Sequence, residues 1–164
     1  MDSLWQALTG APWWVYVLFI YLMSIGIKSL KPRTIPFQRV VLFPLIFVTW
    51  SAYDLYTKVK LGHPTLIPWW LICLTFGAIL GYIEVYKWHF EVDKKKQTIT
   101  IPPNYSTIVL ILLIFSINFF FGYYYATQTI VSYGMYFANI VIGSLVTGIF
   151  LGRGIVFFLN YTKS

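Results

Sequence analysis

The stretch LIPWWLICLTFGAILGYIEVY, residues 66–86, carries no charge until Glu84. About twenty apolar residues in helical form cross roughly 30 Å of hydrocarbon, so the stretch reads as a membrane-spanning helix. Trp69 and Trp70 mark one end, where amphipathic indoles settle at a membrane-water interface. Gly77 and Gly81 share a face in the G-x-x-x-G spacing that lets a second backbone come close. After Lys87 the period changes. Trp88, Phe90 and Val92 interleave with His89, Glu91 and Asp93, and Ile99 and Ile101 with Thr98 and Thr100. Alternation on both sides of Asp93-Lys94-Lys95-Lys96-Gln97 reads as a β-hairpin over residues 88–101 with one apolar face. A two-stranded hairpin is marginal alone in water, so Trp88, Phe90, Val92, Ile99 and Ile101 are expected to face helix ends or lipid. Lys94, Lys95 and Lys96 then face solvent and anionic headgroups.

Four further apolar runs, residues 13–27, 37–56, 108–126 and 135–159, have the same character. The fold class expected is therefore an all-α membrane protein: a single integral membrane domain over residues 1–164, a five-helix transmembrane bundle with a short cytoplasmic β-hairpin between helices 3 and 4. Composition agrees, with 59% hydrophobic residues and 10% charged ones against roughly 25% charged in a soluble domain. Asp2 and Ser3 can cap a short interfacial helix in which Leu4, Trp5 and Leu8 share a face before Pro12 starts the next one. No basic n-region or small-residue cleavage site marks a signal peptide there. The basic segment Lys28-Ser29-Leu30-Lys31-Pro32-Arg33-Thr34-Ile35-Pro36 reads as a connection stiffened by two prolines. Pro44 is expected to kink the second span unless neighbours satisfy the freed carbonyl. Lys58 to Pro64 reads as a polar link, and Ser106 or Thr107 as the cap of the fourth span.

The net charge of +7 is topological rather than a nucleic-acid footprint, because cytoplasmic loops collect Lys and Arg. In a five-span chain one side receives Lys28, Lys31, Arg33, Arg39, Lys87, Lys94, Lys95, Lys96, Arg153 and Lys163, the other only Lys58 and Lys60. This places the N-terminus outside and the C-terminus in the cytoplasm. Trp13, Trp50, Tyr53, Tyr123 and Tyr136 are among the aromatics that then fall at the outer boundary. Ser144, Gly148 and Gly152 repeat at four-residue spacing in the fifth span, at the depth of Gly77 and Gly81, so helices 3 and 5 are expected to cross there.

Polar groups within spans are the functional candidates, since burying them in hydrocarbon is costly. Asp54 stands four residues before Lys58, the spacing of an ordinary helical ion pair. Glu84 and Arg153 can meet if helices 3 and 5 pack. Asn118, near the middle of the fourth span, and Asn139 in the fifth are expected to hydrogen-bond to other helices. Together Asp54, Asn118 and Asn139 form the candidate intramembrane polar site. His63 and His89 fall on opposite sides of the membrane, and Cys73 is the one cysteine. No disulfide, cysteine cage, zinc-protease motif, nucleophile elbow or phosphate loop can be assembled from these residues. No catalytic residue, cofactor or metal is therefore assigned.

Lys31-Pro32-Arg33-Thr34-Ile35-Pro36, then Phe43-Pro44-Leu45, the Gly77 to Gly81 face, the basic hairpin and Phe150-Leu151-Gly152-Arg153 resemble a family of bacterial five-span inner-membrane proteins of unassigned activity. A fainter likeness is to CcdC-type membrane proteins associated with cytochrome c maturation, without their cysteine or histidine chemistry. The resemblance implies a bacterial inner membrane. The function expected is a non-enzymatic accessory or scaffold, with the bilayer, anionic headgroups and a membrane protein or second copy as partners. The alternative is a small transporter with a polar cavity near Asp54, Asn118 and Asn139.

Overall fold

The computed structural model describes residues 13–88, 90–128 and 130–163. The interfacial helix expected before Pro12, and His89, lie outside the described residues. The chain is 75% helical. Its elements run α1 (Trp13–Lys28), β1 (Arg33–Pro36), α2 (Phe37–Lys60), α3 (Leu66–Val85), β2 (Glu91–Asp93), β3 (Thr98–Ile101), α4 (Ser106–Thr127) and α5 (Tyr133–Lys163). Among the described residues, four helices, α2 to α5, are long and apolar enough to cross a membrane. α1 has 16 residues, about 24 Å at 1.5 Å per residue, less than the ~20 residues a span requires. Large apolar side chains stay exposed on these helices, Ile72 and Phe76 on α3 and Val109 and Phe120 on α4 among them. Such surfaces suit lipid rather than water.

The chain divides into two compact units. The first contains α1 and α4, which pack antiparallel: Gly26 faces Ile108, and the Phe19 and Phe115 rings lie 4.8 Å apart. A Cβ on Gly26 would stand 2.8 Å from Ile108 Cγ1, so the missing side chain is what admits the isoleucine. Buried Ser29 closes α1 by donating to Gly26 O at 2.6 Å, and its carbonyl accepts from the Asn104 N–H at 3.0 Å. Asn104 Oδ1 in turn accepts from the Thr107 N–H at 2.8 Å and the Ser106 hydroxyl at 3.2 Å. This corrects the expected cap. A capping oxygen serves the N–H two or three residues further on, so the group that satisfies Thr107 stands at 104. Asn104→Ala should cost about 1 kcal/mol, and Asn104→Asp should keep most of it. Thermal unfolding in detergent checks both.

The second unit contains α2, α3, α5 and the sheet. α3 and α5 run parallel at a nearly constant offset in sequence: 68 residues at the Thr65–Tyr133 hydroxyl pair near one end, 69 at Glu84–Arg153 near the other. α2 runs antiparallel to α5, with Phe37 stacked on Tyr161, Phe47 on Phe150, and Lys58 bonded to Asn139. The helix continues through Pro44, whose ring rests on Gly154.

α5 has 31 residues, about 46 Å, and outreaches a hydrocarbon layer of roughly 30 Å. Its last turns carry Phe157 and Tyr161 to the sheet. There the structure corrects the two-stranded hairpin to three strands in the order β1-β3-β2, all antiparallel. The segment read as a connection pairs Arg33 with Ile101 and Ile35 with Ile99. Proline tolerates this because β1 is an edge strand. The turn carbonyl of Gln97 accepts from the Phe37 N–H at 2.9 Å and ties the sheet to the start of α2. Ile99 and Ile101 are buried with Val40, and Ile35, Val92, Trp88 and Phe90 pack around them. The opposite face shows Thr34 and Thr100, their hydroxyls 3.0 Å apart.

Candidate functional site

Glycine governs how close α3 and α5 come. A Cβ on Gly148 would lie 2.9 Å from Ala78 N and 3.0 Å from Gly77 Cα, and one on Gly152 would lie 2.8 Å from Tyr82 N. Gly77 and Gly81 face the carbonyls of Leu145 and Ile149 in the same way. About two turns of each helix thus meet backbone to backbone, a contact only hydrogen side chains permit. Ser144, one turn earlier, is buried and donates to Ile140 O of its own helix at 2.6 Å, so it acts there as a small residue with its hydroxyl satisfied.

That approach puts Arg153 beside Glu84. Arg153 Nη2 donates to Glu84 Oε1 at 2.6 Å and Nε donates to Oε2 at 3.0 Å, a two-pronged grip on one carboxylate. The arginine is 5% exposed. Its charge is therefore held inside the helix pair rather than extended to headgroups.

A second polar cluster lies at the opposite end of α2. Here the structure corrects the reading of Lys58 as the start of a polar link. Helix α2 continues to Lys60, and Lys58 is 3% exposed. Its ammonium donates to Asp54 Oδ2 at 2.5 Å and to Asn139 Oδ1 at 2.7 Å. One helical turn separates Asp54 and Lys58, and the long apolar stem of lysine carries the charge across to α5. The Asp54 side chain remains 40% exposed. His63 follows, its N–H donating to Lys58 O at 3.2 Å and its ring against Tyr133 and Tyr136. Trp70 Nε1 donates to Ser51 Oγ at 2.8 Å and links α3 to α2.

Asn118 belongs to the first unit. It is exposed, and its amide donates to Ile114 O of its own helix at 2.8 Å, which corrects the interhelical bond expected of it. The sequence-predicted polar trio is thus divided: Asp54 and Asn139 meet through Lys58, whereas Asn118 lies in the other unit.

The sheet presents a cluster of exposed cations. Lys94, Lys95 and Lys96 form its turn, where Asp93 Oδ1 accepts from the Lys96 N–H at 3.1 Å and Gln97 takes a left-handed φ of 52°. Arg33 differs from them. It is half-buried on β1, and burial pushes its guanidinium below the ordinary arginine range, which still leaves it cationic. One of the packing residues had a weak signal in the sequence: Gly154, two residues beyond Gly152. Comparison with known protein families, with functionally described proteins and with solved structures found no match for this chain.

Proposed function

We propose that this chain is a multi-pass protein of a bacterial inner membrane, N-terminus outside and C-terminus in the cytoplasm, that acts as a non-enzymatic scaffold anchored on anionic lipid. The observation that carries the reading is how the second unit uses its polar groups. Within its helices, Arg153 of α5 grips Glu84 of α3, and Lys58 of α2 joins Asp54 of its own helix to Asn139 of α5, while Lys94, Lys95 and Lys96 project from the sheet. Polar groups that fasten helices together make a rigid block, and free lysines at one end give it something to hold. Cation placement supports the orientation. The end that bears the sheet holds Arg33, Arg39, Lys87, Lys94, Lys95, Lys96, Arg153 and Lys163, and the other end of this unit holds Lys58 and Lys60.

The test is lipid retention. Native mass spectrometry of the purified protein, titrated with phosphatidylglycerol, should show at least about tenfold weaker binding when Lys94, Lys95 and Lys96 are all changed to Gln, since each lysine near an anionic surface contributes about 1 kcal/mol. Unchanged retention would defeat the lysine anchor. The exposure of the Asp54 side chain favours a second reading, a permeation path. Labelling of Asn118→Cys by a membrane-impermeant thiol reagent, in a Cys73→Ala background, would turn the assignment toward transport.

A further inference from the structure

We infer that Arg33 forms a binding site for a phosphate-bearing lipid headgroup, separate from the lysine turn. The inference rests on the reading of this protein as membrane-embedded and names the group that holds the lipid. Residues directly opposite one another on paired strands share a face of the sheet. Arg33 lies opposite Ile101, and its face continues through Ile35, Ile99 and Val92. That face packs on Phe37 and Val40 of α2 and on Phe157 and Tyr161 of α5, so it looks toward the helices and away from bulk solvent. The guanidinium is thus half-buried on the membrane side of an edge strand.

Among the described residues it has no counter-charge. The Arg33 guanidinium makes no hydrogen bond or ion pair with any described residue. The chain has five carboxylate residues. Asp2 lies outside the described residues, Asp54 is bound to Lys58, and Glu84 to Arg153. Glu91 and Asp93 remain. They pair with Thr100 and Thr98 and so occupy the opposite face of the sheet, with β3 between their strand and β1. Two strand spacings, about 9.6 Å, add to that separation. A partly desolvated arginine without a partner calls for an anion from outside, and guanidinium matches the two oxygens of a phosphodiester. On the membrane side of the sheet, the phosphates at hand are those of lipid headgroups.

Native mass spectrometry of the whole, delipidated protein provides the test, with phosphatidylglycerol, phosphatidylcholine or inorganic phosphate as the added probe. Arg33→Gln should weaken phosphatidylglycerol binding about tenfold or more, and Arg33→Lys should recover only part of it, because an ammonium lacks the planar fork. Inorganic phosphate alone should bind neither the parent nor the variants measurably. Circular dichroism and gel filtration of each variant establish that it is folded. Should Arg33→Gln bind lipid like the parent while the triple Lys→Gln variant loses it, the Arg33 site is wrong and the lysine anchor stands. Loss in neither variant would overturn both. Equal displacement by free phosphate would make the site a soluble-anion site and overturn the lipid assignment.

Discussion

Gly81→Ala should be among the most damaging single-methyl changes in the second unit. The added Cβ would overlap the carbonyl of Ile149 and stand 2.9 Å from Ile149 Cα, and every one of these atoms is backbone. A side chain in that place could turn aside. A helix cannot, so α3 and α5 must separate. Gly77, Gly148 and Gly152 sit in the same seam, and parting it at one turn loosens the contacts at its neighbours. Overpacking ordinarily costs 1–3 kcal/mol, and a clash between two main chains belongs at or above about 3 kcal/mol. The control lies in α5 itself. Nothing stands within 4 Å of a Cβ on Gly143, so Gly143→Ala should gain up to about 1 kcal/mol from helix propensity alone. Thermal unfolding by gel filtration in a mild detergent compares the two. Equal melting of Gly81→Ala and the parent would mean that the helices do not cross at this seam.

The contrast between these glycines shows what a sequence reveals about a helix bundle. The spacing of Gly77 and Gly81, and of Ser144, Gly148 and Gly152, is visible because close backbone approach requires small residues at helical intervals. The helices themselves are legible from apolar length. Their ends are less so: the apolar run fades before Lys58, whereas α2 continues through Lys58 because a partner on α5 accepts its ammonium. Burial of that lysine depends on Asn139, 81 residues away, and no local pattern contains it. The third strand escaped for a related reason. Two prolines around Arg33-Thr34-Ile35 point to a loop, and only pairing with β3 makes the segment a strand. Asn118 failed in the opposite sense. Its depth in an apolar run argued for another helix, yet an amide can return to the carbonyl four residues back, a bond the sequence always offers.

Glu84→Gln should be the second large effect, and its size should differ from that of the matching change at Arg153. Arg153 is 5% exposed, whereas the Glu84 side chain is 31% exposed. Removing the carboxylate leaves a buried guanidinium without the charge that grips it. Breaking a buried pair in this way costs 3–5 kcal/mol, and partial solvation of Glu84 brings the expected loss to about 2–3 kcal/mol. Arg153→Met leaves only a carboxylate that can reach solvent or take up a proton, so its cost should be smaller. The double variant Glu84→Gln/Arg153→Met should then melt closer to the parent than Glu84→Gln does, because the stranded charge is gone. Additive losses would instead mean that the two side chains act independently. A double variant as stable as the parent would also locate the pair's value. Glycine spacing repeats every four residues, so α3 and α5 could slide by one turn and still present small residues to each other. Glu84 and Arg153 do not repeat, and their two-pronged contact is satisfied only at the native offset of 69 residues. Loss of a unique register without loss of melting temperature, read by disulfide trapping of cysteines placed across the seam, would assign the pair to alignment of the helices rather than to their cohesion.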